Sequence, residues 1–79
     1  MRTRSYTYIN KLGVRKQLVI DMEPVKGGKY HVTMWDLDHG NYTGSGYMTV
    51  EEIDNFLAAY NINESFSALI ESYMPIYGE

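Results

Sequence analysis

Few side chains in this sequence are able to do chemistry, and their spacing narrows what they can do. Asp36 and Asp38 share one face of an extended segment. That is a spacing for general acid–base work, but a chain of 79 residues has little room for the deep cleft such work needs. His31 falls within an alternating segment and His39 in a turn, and neither sits in a recognisable nucleophile–base arrangement. There is no cysteine, which excludes disulfides, thiol catalysis and Cys-ligated zinc, and two histidines alone do not close a zinc site. Gly27-Gly28 and Gly44-x-Gly46 lack the Gly-Lys-Ser/Thr order of a phosphate loop. No catalytic residue, cofactor or metal is therefore expected, and the chain is not expected to be an enzyme.

One segment has a motif's shape. Residues 41–52 resemble an EF-hand calcium loop with its exiting helix: Gly46 stands at the turn position, Met48 at the apolar position and Glu52 at the bidentate position. The first ligand positions hold Asn41, Thr43 and Ser45 where the family places carboxylates, and one glutamate is too little charge for a hard cation. Thr49-Val50-Glu51-Glu52 also reads as a capping box, which accounts for Glu52 without a metal. A degenerate calcium module using Asn41, Ser45 and Glu52 is thus a minor alternative.

Charge is unevenly distributed. Arg2, Arg4, Lys11, Arg15, Lys16, Lys26 and Lys29 all precede residue 30, accompanied only by Asp21 and Glu23. Residues 30–79 hold no lysine or arginine but eight acids: Asp36, Asp38, Glu51, Glu52, Asp54, Glu64, Glu71 and Glu79. Such asymmetry points to electrostatic recognition, unless folding brings the two halves together and neutralises them. The basic part, with Arg2, Arg4, Arg15, Lys16 and the rings of Tyr6 and Tyr8, would suit nucleic acid. The acidic part would suit a basic groove on a nucleic-acid-binding protein. Tyrosine outnumbers phenylalanine eight to two, a bias that serves half-buried cores and sticky but soluble surfaces alike.

These groups must be carried by a small scaffold. Strands are expected at 4–9, 15–24 (ended by Pro24), 29–37 and, weakened by Gly44 and Gly46, 42–48. Lys26-Gly27-Gly28-Lys29 and Asp38-His39-Gly40-Asn41 are turns. The period then becomes helical: a first helix at 50–60 stops at Asn61, and a second at 64–74 is capped by Asn63 and ended by Pro75. Strands followed by helices predict an α+β fold of one domain, residues 1–79: a three- or four-stranded antiparallel sheet with two C-terminal helices on one face. The expected core is Leu18, Ile20, Val32, Met34, Phe56, Leu57, Leu69 and Ile70, with Val19, Trp35 and Leu37 competing from the other sheet face. The N-terminus lacks the apolar run of a signal peptide and no segment reaches bilayer length, so no membrane is expected and the location is expected to be cytoplasmic.

In size and layout the chain resembles small phage-encoded anti-defence proteins, anti-CRISPR proteins especially. The stretch from Lys16 through the helix at 50–60 carries the likeness, with Asp36, Asp38, Glu51, Glu52 and Asp54 where an acidic surface would sit. The resemblance implies a non-enzymatic inhibitor that blocks a bacterial-defence nuclease by binding it. The expected partner surface is Asp36, Asp38, Tyr42, Tyr47, Glu51, Glu52 and Asp54, the partner a protein rather than nucleic acid, and the chain a monomer or homodimer.

Overall fold

The computed structural model describes the backbone of residues 2–77 and the side chains of residues 2–72. Four strands come first, β1 (Thr3–Ile9), β2 (Arg15–Asp21), β3 (Lys29–Asp36) and β4 (Asn41–Thr49), followed by α1 (Val50–Ala59) and α2 (Phe66–Tyr77). The sheet is an antiparallel meander in the order β1-β2-β3-β4, as expected from the succession of alternating segments.

Period-two alternation divides the sheet into two faces. Tyr6 and Tyr8, Leu18 and Ile20, Tyr30 and Val32 all turn to the helices and are buried, where they meet Ile53, Leu57 and Phe66. Met34, Phe56, Leu69 and Ile70 pack around this cluster half-buried. All eight expected core residues therefore lie in or against the core, and Val19 and Trp35 take the other face. Tyr6 and Tyr8 correct the reading of them as base-stacking platforms, for they are 4% and 7% exposed. Tyr8 makes an edge-to-face contact with Phe56 at 5.0 Å and a tilted one with Tyr60 at 4.4 Å, and Tyr30 meets Phe66 edge-on at 5.1 Å. In so thin a domain, rings fill the space between sheet and helices.

Local chemistry sets the element boundaries. β2 stops at Asp21, three residues before Pro24, because Asp21 Oδ1 accepts the Glu23 N–H at 3.1 Å and turns the chain. Gly27 and Gly28 both take positive φ, 84° and 71°, at the tip of the β2–β3 hairpin. α1 begins with the expected capping box: Thr49 Oγ1 accepts the Glu52 N–H at 3.1 Å, and Glu52 Oε1 accepts the Thr49 N–H at 2.8 Å. It ends at Ala59, with Asn61 in the left-handed region at φ 58°.

α2 begins differently from its sequence reading. Asn63 does not cap it. Asp54, from the middle of α1, accepts the Phe66 N–H at 2.6 Å and the Ser67 N–H at 3.3 Å, and the Ser65 hydroxyl accepts the Ala68 N–H at 3.2 Å. Three of the N–H groups that open a helix are thereby satisfied, two of them by another helix. The helical backbone continues past Pro75 to Tyr77; a proline this near a helix end costs at most one backbone bond of the last turn.

Candidate binding surface

The second face of the sheet is not covered by the helices. Its residues align across the strands in rows: Thr7, Gln17, Trp35 and Tyr42 in one, Ser5, Val19, Thr33 and Ser45 in the next, and His31 beside Tyr47 beyond them. The rings form two pairs at separate positions along β3 and β4. Trp35 meets Tyr42 edge-on with centroids 5.8 Å apart, and His31 lies 5.3 Å from Tyr47. Tyr42 and Tyr47 are 56% and 60% exposed, so most of each ring faces water although it rests against a neighbour. Thr33 and Ser45, paired across β3 and β4, lie between the two ring pairs. Beside Tyr47 an open depression of about 350 Å³ is bounded by Val25, Lys26 and Lys29.

The seven residues expected to form the partner surface do not lie together. Asp36, Asp38 and Tyr42 stand at the β3–β4 turn; Tyr47, Glu51 and Glu52 stand at the far end of β4 and the start of α1. At about 3.3 Å per residue, even the nearest members, Tyr42 and Tyr47, are separated along β4 by roughly 16 Å. Nor are most of the carboxylates idle. Asp36 Oδ1 accepts the His39 N–H at 3.1 Å, and His39 Nδ1 sits 2.8 Å from Asp36 Oδ2. Asp38 is gripped by Arg15, whose backbone N–H donates to Oδ2 at 2.9 Å and whose Nε donates to Oδ1 at 2.8 Å. Glu52 completes the α1 cap and Asp54 the α2 start. Bonding to His39 holds the Asp36 carboxyl below its ordinary pKa; the Arg15 N–H and guanidinium do so for Asp38, and the Thr49 N–H for Glu52. These acids organise turns and helix starts, which is why charge counting overstated what they can offer a partner.

The two charged halves meet on folding. Arg15 pairs with Asp38, and Arg4 with Glu64. What remains is a difference between layers. Every lysine and arginine lies in the sheet, in its turns or, for Arg2, just ahead of β1, while described residues from Val50 onward carry Glu51, Glu52, Asp54, Glu64 and Glu71 with no cation.

The calcium-loop reading fails on geometry. Residues 41–49 are a strand, so Asn41 and Ser45 do not curl around one point with Glu52, whose carboxylate is bonded to Thr49. Among the described residues no group of three or more histidine, aspartate or glutamate side chains is arranged to hold a metal ion. Trp35 and His31, the inner members of the ring pairs, were absent from the expected surface. Their sequence signal was strict alternation with the buried Val32 and the half-buried Met34, which sends them to the opposite face.

No described helix is long and apolar enough to cross a membrane. Compared with protein-family models, curated proteins and solved structures, the chain gives no match.

Proposed function

We propose that this chain is a non-enzymatic binding protein that engages a protein partner through the uncovered sheet face, with Tyr42 and Tyr47 as its anchors. The observation that carries the reading is the pair of exposed tyrosines on one face, each braced by a second ring. Aromatic side chains held in place lose little entropy on binding and supply much contact area, the usual character of interface centres. The role proposed for the chain is that of an anti-CRISPR-like inhibitor, acting in a bacterial cytoplasm on a defence nuclease. The small size, the resemblance in layout and the acidic helical layer favour it. A basic, nucleic-acid-binding effector would be steered by that layer and gripped by the rings.

A DNA mimic is the weaker form of this role, since four of the five expected surface acids are committed to internal bonds. Direct nucleic-acid binding is a second reading, and the depression with Lys26, Lys29 and Tyr47 favours it. Purified bacterial-defence nuclease complexes, assayed for target cleavage with increasing amounts of the chain, test the proposal. At least one complex should be inhibited stoichiometrically, and Tyr42→Ala/Tyr47→Ala should weaken inhibition at least tenfold, about 1.4 kcal/mol. Absence of inhibition, with salt-sensitive retention of single-stranded DNA or RNA by the isolated chain, would move the assignment to nucleic acid.

A further inference from the structure

The sheet has two edges, and they are treated differently. An edge strand offers unpaired backbone donors and acceptors, and natural sheets blunt it with charge, proline, bulges or a covering segment. On β1 the Arg4 side chain is tied to Glu64 from the α1–α2 connection, and Tyr8 lies beneath Phe56 and Tyr60. β4 has no charged residue and no proline in nine positions. Its one irregularity is near the Asn41 end: Met34 pairs with Gly44 and Trp35 with Tyr42, so Thr43 has no residue opposite, and its hydroxyl donates to the Met34 carbonyl at 3.1 Å. From Gly44 to Met48 the edge is regular.

Among the described residues, the helix-facing side of that same stretch is open at its two glycines, whereas Met48 at its end packs against the core. Gly44 and Gly46 alternate there with the outward Ser45 and Tyr47, opposite Met34 and Val32. Among the described residues, a Cβ added at either glycine meets nothing within 4 Å. A regular, uncharged edge with a gap over alternate residues is the shape of a strand-addition site, where backbone bonds give affinity and gaps for alternate side chains give selectivity.

We propose that β4 is the docking edge for an extended segment of the partner, which adds as a fifth strand and sets large apolar side chains over Gly44 and Gly46. A second copy of this chain fits less well, because antiparallel pairing centred on Ser45 sets Gly44 opposite Gly46 of the copy and leaves the gap unfilled. The proposal rests on reading the chain as a binding protein, but it concerns the strand's edge rather than the tyrosine face.

The test uses the full ¹⁵N-labelled chain and two capped peptides, Lys-Leu-Thr-Ile-Thr-Leu-Lys and its counterpart with glycine for each leucine and isoleucine. The apolar peptide should slow hydrogen exchange at alternate amides between Gly44 and Met48 by at least about tenfold, leave β1 unchanged, and act more strongly than the glycine peptide. Gly46→Leu, whose side chain enters open space and leaves the fold intact, should abolish the difference between the peptides. Absence of protection on β4, equal protection by both peptides, or protection at β1 would overturn the proposal. Slow β4 exchange without peptide, together with a dimer in sedimentation, would assign the edge to a second copy. Tyr42→Ala/Tyr47→Ala should still bind the apolar peptide, so failure of the edge and failure of the tyrosine face can be told apart.

Discussion

The Asp54 carboxylate, midway along α1, accepts the backbone N–H of Phe66 at 2.6 Å and so joins the start of the second helix to the body of the first. Phe66 is fully buried against Tyr30. The bond therefore fixes both where α2 begins and where its largest apolar side chain enters the core. Asp54→Ala should lower stability by about 1 kcal/mol, the cost of a lost cap, and Asp54→Asn by less. Urea unfolding followed by circular dichroism measures both; an unchanged midpoint for Asp54→Ala would mean that Ser65 alone suffices.

Tyr6 presents the opposite case. Its hydroxyl is buried and has no hydrogen-bond partner among the described residues. The Arg4 guanidinium lies over the Tyr6 ring, its central carbon 5.3 Å from the ring centre, a contact with the ring face that does not depend on the hydroxyl. Tyr6→Phe should be neutral or stabilising, within about 1 kcal/mol, because it removes a desolvated group and leaves the packing in place. A loss well beyond that would reveal a bond made by the hydroxyl.

Acid should weaken the fold. Asp36, Asp38 and Glu52 have carboxyl pKa values lowered by their bonds in the folded chain. Protons therefore bind the unfolded chain first: stability is fully present above the unfolded carboxylate values of about 4 and falls as pH drops through the lower folded ones. Thermal midpoints measured between about pH 6 and pH 2 should decline in that window. Asp38→Asn should make the decline shallower relative to its own neutral-pH midpoint.

Alkali should act through different residues. Burial raises the Tyr8 hydroxyl pKa, with a smaller contribution from Tyr60, and burial raises that of Tyr30. Their stabilisation is complete below the unfolded tyrosine value of about 10 and is lost as pH rises through the folded values. Tyrosinate absorbance from Tyr8 and Tyr30 should therefore appear only above the unfolded tyrosine value, together with loss of the fold. A single transition near pH 10 in a chain that stays folded would contradict the burial of these rings.

Much of this architecture could be read before folding, and the exceptions have a common cause. The capping box at Thr49, the Gly27-Gly28 hairpin and the stop at Asn61 are set by residues within a few positions of one another. The start of α2 is not: its cap comes from Asp54, twelve residues earlier, and Asn63, the local candidate, was passed over. The candidate surface failed for a related reason. Asp36, Asp38 and Asp54 look available in a linear chain because their partners His39, Arg15 and Phe66 become partners only through turns and packing, whereas the commitment of Glu52 to the Thr49 cap was already legible. Tyr6 and Tyr8 looked like surface rings because Arg4, Ser5 and Thr7 lie around them in the sequence, yet alternation places them inward. Trp35 and His31 were legible by that same alternation.

The confinement of every lysine and arginine to residues 2–29 has a practical consequence. Trypsin has no cleavage site after Lys29, so β3, β4 and both helices can only leave the protein as one long peptide. Amine-directed crosslinkers likewise meet lysine only at Lys11, Lys16, Lys26 and Lys29, in the β1–β2 and β2–β3 hairpins. A complex mapped by lysine chemistry would therefore be seen from one side only. Contacts made by the helical layer would pass unrecorded unless carboxylate-directed reagents were used.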